Sequence, residues 1–238
     1  MIKVYRSVKA LSLQINCLLC QKATGFSHKI CRQCQQSFPV IPYPCKICSL
    51  PLPSENNACC AQCLHSPPSF DRCISPFVYS FPIDKVIQRI KYDNRLELIR
   101  PVTKKLVDAL CPVYQSGSWP EAIIPVPLHP TRHRLRGFNQ SQQLARQIIS
   151  FLPKPRPTVN SRLLSRINPT KSQQGLSRLQ RKQNMRKAFA INEETPYRHV
   201  AIVDDVVTSM ATANELSQLL KKEGVQTVDI WSIARTAI

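Results

Sequence analysis

Apolar runs alternate with amphipathic stretches from residue 70 to the end of the chain, a pattern typical of strands alternating with helices. Short apolar runs predict strands at 70–80, 122–126, 200–203 and 227–234. The helical spacing of apolar residues predicts helices at 83–92, 96–110 (starting afresh at Pro101), 139–151 and from 211 through Leu220. Because strands that alternate with helices usually pair in parallel, we expect an α/β fold with a parallel sheet flanked by helices.

Two stretches fall outside this alternation. Residues 153–187 are polar, basic and poorly periodic, which predicts a long mobile loop. Residues 17–63 are rich in cysteine and have too little apolar content to fold unaided, and seven prolines between residues 39 and 68 predict a loop-built module. We therefore expect two domains, a small cysteine-rich module at 1–68 and the α/β domain at 69–238.

Membrane and export signals are absent from the sequence. No run of 18 apolar residues occurs, and the first 14 residues carry scattered basic residues without the apolar core of a secretory signal. We expect a cytoplasmic protein, in which thiols stay reduced and cysteines bind metal rather than form disulfides.

Eight of the eleven cysteines form four Cys-x2-Cys pairs within 47 residues. They are Cys17, Cys20, Cys31, Cys34, Cys45, Cys48, Cys60 and Cys63. This spacing places two thiolates at tetrahedral zinc geometry, and two pairs complete one structural site. If consecutive Cys-x2-Cys pairs share a metal, the module is a double zinc ribbon. If the first pair joins the third and the second joins the fourth, the module is cross-braced. A third arrangement has only one filled site. Zinc binding would then supply the folding energy of the module, of order 10 kcal/mol.

The charge is strongly positive and unevenly distributed. The formal net charge is +19, no acid occurs between Glu121 and Glu193, and residues 129–187 carry 14 Lys and Arg. A basic stretch of this length favours a polyanion such as nucleic acid, although it could also be a basic surface without a specific partner. The candidate DNA-binding residues are Arg132, Arg134, Arg136, Lys171, Arg178, Arg181 and Lys182. Three rings in this region, Phe138, Phe151 and Phe189, either stack on bases or pack in the core.

Two neighbouring acids follow the apolar run 200–203. Asp204 and Asp205 precede a Thr/Ser-rich turn, and a helical pattern opens near Ala211. Because ligands bind where parallel strands end and helices begin, we expect this turn to hold an anion. Two carboxylates beside a phosphate-binding turn suit a ligand with both phosphate and vicinal hydroxyls, which predicts a phosphorylated sugar.

This stretch resembles the phosphoribosyl pyrophosphate (PRPP) signature of type I phosphoribosyltransferases, which has four apolar residues, two acids, two apolar residues and a Thr-rich turn. The resemblance implies that Asp204 and Asp205 hold the ribose hydroxyls and that the turn holds the 5′-phosphate. The implied turn residues are Thr208, Ser209, Met210, Ala211 and Thr212. Met210 stands where the family pattern has glycine, so we expect a weakened sugar-phosphate site, because methionine is strained at positive φ and adds bulk.

The order of motifs is similar to that of the ComF family (ComF/GntX-like competence and DNA-utilisation proteins), over about residues 16–236. The matching motifs are the Cys-x2-Cys repeats, Ser66-Pro67-Pro68 with Phe70-Asp71, Ile90-Lys91-Tyr92, Pro125 to His129, Arg136 to Gln140, and Thr170 to Asn184 before Ala188-Phe189. The resemblance implies zinc-binding knuckles followed by a type I phosphoribosyltransferase-like domain that binds PRPP with Mg²⁺. It also implies a role in natural competence, with single-stranded DNA and DNA-uptake machinery at the inner membrane face as partners.

Two functions are compatible with these residues. One is a ComF-type factor for DNA uptake and utilisation that binds single-stranded DNA on its basic face and PRPP at the acid pair. The other is an active phosphoribosyltransferase, which needs mobile positive charge for the departing pyrophosphate. The candidates for that role are Arg136, Lys171, Arg178 and Arg181, and the resemblance makes 170–184 the flexible loop of such an enzyme.

Overall fold

The structure is a computed structural model, and it describes residues 16–24, 29–115, 117, 119–167 and 188–237. The chain forms two compact units, Met1–Ser37 and Phe38–Ile238. Residues 38–68, which the sequence assigned to the cysteine-rich module, thus belong to the larger unit. The domain limits 1–68 and 69–238 stay a prediction.

The smaller unit is built around four cysteines and one short helix. Helix α1 (Arg32–Gln36) begins after Cys31, whose sulfur accepts a hydrogen bond from the Cys34 N–H at 3.4 Å. An isolated antiparallel bridge joins Asn16 and Ala23. In the described part of this unit, the sulfur atoms of Cys17 and Cys31 accept backbone N–H groups and so help to shape its turns.

The larger unit is organised by a parallel sheet, which confirms the predicted α/β class. Its strands are β1 (Arg72–Ile74), β2 (Phe77–Val78), β3 (Ala122–Pro125), β4 (Thr158–Val159), β7 (His199–Val207) and β8 (Thr227–Arg235). The order is β1-β8-β7-β3-β4, β2 also pairs with β8, and every pairing is parallel. Two further strands, β5 (Leu164–Arg166) and β6 (Phe189–Ile191), form a separate antiparallel pair.

Helices cover the sheet as the periodicity predicts. They are α2 (Ala61–His65), α3 (Ile83–Tyr92), a 3₁₀ turn (Leu96–Leu98), α4 (Ile99–Tyr114), α5 (Pro130–Arg136), α6 (Gln140–Phe151) and α7 (Ala211–Lys222). The helix expected at 96–110 does start afresh, with α4 following the 3₁₀ turn and Pro101 in its first turn. Helix α5 was not predicted, because its seven residues are almost entirely polar.

Two predictions of local structure are wrong in extent. The strand predicted at 200–203 continues to Val207, so the two acids lie within β7, with Asp204 in register with Ser232 of β8. The loop predicted at 153–187 contains β4 and β5, because Thr158 and Leu164 find strand partners that periodicity does not reveal. Residues 168–187 lie outside the described residues, and Ile167 N–H bonds to the Ala188 carbonyl oxygen at 2.9 Å across that gap.

A loop of the second cysteine group protects the outer edge of the sheet. Cys73 N–H of β1 donates to the Ile47 carbonyl oxygen at 2.7 Å, and the Ser49 hydroxyl donates to the Cys73 carbonyl oxygen at 2.7 Å. Ser75 N–H then donates to the Ser49 hydroxyl oxygen at 3.2 Å. Because an open strand edge is a site for unwanted pairing, this loop both completes the hydrogen bonding of β1 and blocks association there.

A buried carboxylate ties several elements to β8 at the opposite end of the sheet from the acid pair. Asp229 accepts hydrogen bonds from the Tyr114 hydroxyl at 2.5 Å and from Arg72 Nη2 at 3.1 Å, and it lies 3.0 Å from His199 Nε2. Burial opposes its ionisation, but the His199, Tyr114 and Arg72 contacts together hold the pKa of Asp229 below its usual value. The cluster fixes the start of β1 and β7 and the end of α4 against β8.

Candidate functional site

The acid pair of β7 is held by α3 and α6, two helices that precede β7 in the sequence. Asp205 is 9% exposed, and its Oδ2 lies 2.8 Å from Lys91 Nζ of α3. Asp204 Oδ1 accepts hydrogen bonds from the Ser141 hydroxyl of α6 at 3.1 Å and from the Asp205 N–H at 2.9 Å. Asp204 retains access to solvent, whereas Asp205 is closed in by its partner. The two acids therefore differ in their surroundings: Asp205 is paired with Lys91, and Asp204 is the more accessible of the two.

The electrostatics of the pair follow from this geometry. Burial, and then the neighbouring Asp205 charge, raise the pKa of Asp204 to about 7. Burial disfavours the Lys91 ammonium, but the Asp205 carboxylate outweighs it and raises the pKa of Lys91. The pair thus carries one firmly compensated charge and one carboxyl that titrates near neutrality.

Arg166 of β5 is a buried cation that faces this pair. Its guanidinium carbon lies 5.4 Å from the centre of the Phe189 ring. Burial, and then the charge of Arg132, lower the pKa of Arg166 to about 10, while Asp204 acts in the opposite direction. Arg166 therefore lies within electrostatic reach of both Arg132 and Asp204. Sequence reasoning missed Arg166 because β5 lies inside a stretch taken for a loop.

The turn after β7 has the backbone that the resemblance requires. Met210 has φ 63° and ψ 2°, in the left-handed region where glycine is normally placed, and it immediately precedes α7. Its side chain is 3% exposed and packs in the core, so it adds bulk to the interior and not to the turn. The Ser209 hydroxyl is buried and has no hydrogen-bond partner among the described residues. Thr208 and Ser209 precede Met210, while Ala211 and Thr212 form the first turn of α7.

The basic residues named from the sequence fall into two groups. Arg132, Arg134 and Arg136 all lie on α5, where Arg134 is exposed and the other two are half-buried. Arg136 Nη1 donates to Gln140 Oε1 at 3.1 Å. The remaining four, Lys171, Arg178, Arg181 and Lys182, lie outside the described residues.

The three phenylalanines do not form an exposed stacking surface. Phe138 and Phe189 are buried in the core, and Phe151 is half-buried with the Arg100 guanidinium 4.9 Å from its ring centre. Base stacking on Phe138 and Phe189 is therefore excluded, and core packing, the other interpretation of these rings, is correct. Tyr92, at the end of α3, is instead the exposed ring of this region.

The eight cysteines of the Cys-x2-Cys pairs meet in two tetrads of consecutive knuckles. The first is Cys17, Cys20, Cys31 and Cys34, and the second is Cys45, Cys48, Cys60 and Cys63. Sulfur atoms at about 2.3 Å from a tetrahedral zinc lie about 3.8 Å apart. The Cys20–Cys31 and Cys48–Cys60 sulfur pairs are both 3.7 Å apart, and all four ligand atoms of each tetrad lie within 4.8 Å of one another. Both tetrads can therefore hold a structural metal such as zinc, and the cross-braced arrangement is not formed.

Backbone N–H groups favour the thiolate at one cysteine of each tetrad, whereas burial raises the pKa of Cys34, Cys48 and Cys63. Burial opposes ionisation of Cys17, but N–H groups of Cys20, Cys31 and Leu19 bring its pKa down to about 6. Cys45 is similar, with burial opposed by N–H groups of Cys48, Cys60 and Ile47, and a pKa of about 7. Because metals bind the thiolate and not the thiol, this hydrogen bonding suits metal coordination. Cys59 lies beside the second tetrad but is not one of its four ligands.

The described part of the chain contains no helix with the length and apolar character needed to cross a membrane. Its distinguishing features are an α/β unit with an acid pair on a central parallel strand, a basic short helix beside it, and two cysteine tetrads. These define an α/β protein with two potential structural metal sites and a candidate anion site.

Comparison with known proteins gives the family. No protein-family model matches the chain. The chain is 36% identical over 211 residues to "Competence protein F" of Haemophilus influenzae, covering 87% of this chain and 90% of that protein. It is 32% identical over 223 residues to the "DNA utilization protein YhgH" of both Salmonella typhimurium and Escherichia coli K12, covering 92% of this chain and 96% of each relative. The chain belongs to the ComF family.

Proposed function

We propose that this protein acts in natural competence, in the uptake and utilisation of incoming DNA. In this proposal it binds single-stranded DNA on its basic face and PRPP at the acid pair of β7. The names of its relatives, a competence protein and DNA-utilisation proteins, support the cellular role. The formal charge of +19 supports binding of a polyanion such as DNA. We place the protein in the cytoplasm, with DNA-uptake machinery at the inner membrane face as a further partner.

The observation that carries the PRPP proposal is the left-handed residue between the acid pair and α7. A positive φ at Met210 turns the chain so that successive N–H groups of the turn and the first turn of α7 can face one anion. The 5′-phosphate would lie there, with the unpartnered Ser209 hydroxyl as an additional donor. Asp204, ionised above about pH 7, would accept hydrogen bonds from the ribose hydroxyls, and Asp205 would hold its place through Lys91.

Metals have two different roles in this proposal. Zinc in the two cysteine tetrads would be structural, because each tetrad offers four protein ligands and no open position. Mg²⁺ would arrive with the pyrophosphate of PRPP, since magnesium is commonly bound through substrate phosphates and one or two carboxylates. In this arrangement the protein binds and orients the sugar, and the fold of the larger unit is of the type I phosphoribosyltransferase kind.

A second candidate function, transfer of the phosphoribosyl group, is favoured by Arg166 and Arg132. Arg166 lies within electrostatic reach of Asp204, and Arg132 within reach of Arg166, so both could supply positive charge for a departing pyrophosphate. Arg136 and the loop residues Lys171, Arg178 and Arg181 remain further candidates for this role. Binding alone and binding with transfer need the same ribose contacts, so only a product measurement separates them.

The test combines isothermal titration with pyrophosphate release on zinc-loaded protein. We expect PRPP with Mg²⁺ to bind wild type and to bind Asp204→Asn at least tenfold more weakly, because one charge-assisted contact is worth about 1.5–3 kcal/mol. Asp108→Asn, which removes an exposed acid paired with Lys104 on α4, is the matched control and should bind like wild type. Equal affinity of Asp204→Asn and wild type contradicts the PRPP site. Steady pyrophosphate release abolished by Asp204→Asn would establish the transferase function.

A further inference from the structure

An exposed tyrosine and a basic side chain are stacked next to the acid pair. Tyr92, the last residue of α3, is 69% exposed, and the guanidinium carbon of Arg136 lies 5.2 Å from the centre of its ring. Leu135, which precedes Arg136 on α5, is 82% exposed. Single apolar residues on a surface are ordinary, but a solvated ring already stacked on a planar cation is a preformed flat surface.

Tyr92 and Arg136 are each connected to the acid pair through a neighbouring residue. Lys91, adjacent to Tyr92, makes the 2.8 Å ion pair with Asp205. Gln140, which accepts the hydrogen bond from Arg136, is adjacent to Ser141, the partner of Asp204. The surface is therefore positioned by α3 and α6 beside the candidate sugar site, and its geometry does not depend on a loop.

The surrounding charge suits a nucleic acid strand. Helix α5 carries basic side chains and no acid, and Arg134 on it is exposed. Near Tyr92, Asp93 and Glu97 offset Lys91 and Arg95, and Arg95 pairs with Glu97 at 3.5 Å, so the positive charge of this surface comes from α5. Phosphates of a bound strand would lie against the cations while the ring presents a π-face.

We infer that Tyr92 and Arg136 form a stacking platform for one unpaired base of single-stranded DNA, beside the acid pair. The inference rests on the proposed function, because it names how the same region recognises its DNA. A duplex hides the faces of its bases, whereas an unpaired base is free to stack, so the platform selects single strands. The ring also limits recognition to the base face, so the platform predicts little preference among sequences.

The test compares two fluorescent oligonucleotides of equal length, one with bases throughout and one with consecutive abasic sites at its centre. Wild type should bind the intact strand more tightly. Tyr92→Ala should bind the intact strand about 5- to 150-fold more weakly, which corresponds to the 1–3 kcal/mol of one stacked base. The Tyr92→Ala variant should also bind the intact and the abasic oligonucleotide with equal affinity. Tyr92→Phe should bind like wild type, and Tyr92→Leu, which keeps an apolar side chain without a π-face, should bind like Tyr92→Ala.

Arg134→Ala is the matched control, because it removes charge from the same surface and leaves the ring. It should weaken both oligonucleotides equally and lower the slope of log affinity against log salt by about 0.7, the value for one phosphate of a single strand. Tyr92→Ala should leave that slope unchanged. The two variants thus separate stacking from charge.

Each outcome decides between the proposals. If wild type binds neither oligonucleotide, the proposed DNA function fails and the platform fails with it. If wild type binds both strands equally, or if Tyr92→Ala binds the intact strand like wild type, the platform is wrong, while salt-sensitive binding of DNA stands. Should Tyr92→Ala not fold, the comparison of intact and abasic strands with wild type still decides.

Discussion

Arg235, the last residue of β8, donates from its Nε to the carbonyl oxygen of Cys48 at 3.1 Å. The same buried guanidinium donates from Nη1 to the carbonyl oxygens of Val207, at 3.2 Å, and Thr208. Cys48 belongs to the second cysteine tetrad, and Thr208 opens the turn proposed to bind phosphate. One side chain therefore connects the metal-binding knuckle with the candidate ligand turn. A Zn²⁺ with four thiolates carries a net negative charge, which this cation would partly offset.

The first prediction concerns this connection. Arg235→Met should lower the free energy of unfolding by about 3 kcal/mol or more, because it leaves buried carbonyl oxygens of Cys48 and Val207 without a donor. Arg235→Lys should lose less stability, because its ammonium group can still donate to some of these carbonyl oxygens. Urea unfolding of zinc-loaded protein measures both. Equal stability of the methionine variant and wild type would mean that the bridge contributes nothing.

Metal content is the second prediction. We expect two zinc ions per chain by elemental analysis, and one in Cys60→Ser, because a structural site needs all four ligands. Cys59→Ser is the matched control, since Cys59 adjoins Cys60 but is not part of the tetrad, and it should retain two. If Cys60→Ser also keeps two ions, or wild type holds none, the account of the tetrads is wrong.

The third prediction follows from the raised pKa of Asp204. A carboxyl whose pKa is about 7 in the folded protein and near 3.8 when unfolded stabilises the fold most below pH 3.8. That contribution is lost as the pH rises through about 7. Wild type should therefore lose stability relative to Asp204→Asn between pH 5 and pH 8, measured by urea unfolding. Parallel stability curves for the two proteins would show that Asp204 ionises normally.

Met210→Gly provides the fourth prediction. Glycine relieves a left-handed strain of about 1–2 kcal/mol. Loss of the buried methionine side chain costs about 2–5 kcal/mol by analogy with Met→Ala changes in cores. Burial therefore outweighs strain, and the variant should unfold at lower urea concentration than wild type. A more stable variant would show that backbone strain outweighs side-chain burial at this position.

How far the sequence predicts this structure depends on the length of each element. The periodic helices α3 and α6 and the buried strand β8 are recognisable from their apolar residues, because each buries a continuous face. Short elements such as α5 and β5 carry few apolar residues, and only their tertiary partners define them. The continuation of β7 through Asp204 and Asp205 is also invisible to periodicity, since acids seldom occupy a central strand.

Some residues of the candidate site can likewise be recognised in the sequence, and others only in the fold. The acid pair and the eight knuckle cysteines are visible in the sequence because spacing along the chain carries their chemistry. Lys91 and Tyr92 of α3 and Arg166 of β5 lie far from β7 in the sequence, so only the fold brings these elements to the pair. Lys91 and Tyr92 did belong to a motif shared with the family, and this was a signal that could have marked them.

The most direct test of the central claim is a crystal structure of the zinc-loaded protein soaked with PRPP and Mg²⁺. We predict ribose hydroxyls within hydrogen-bonding distance of Asp204 and the 5′-phosphate against the turn from Thr208 to Thr212. A turn without ligand at saturating PRPP, or PRPP bound at a place remote from Asp204, would contradict the account.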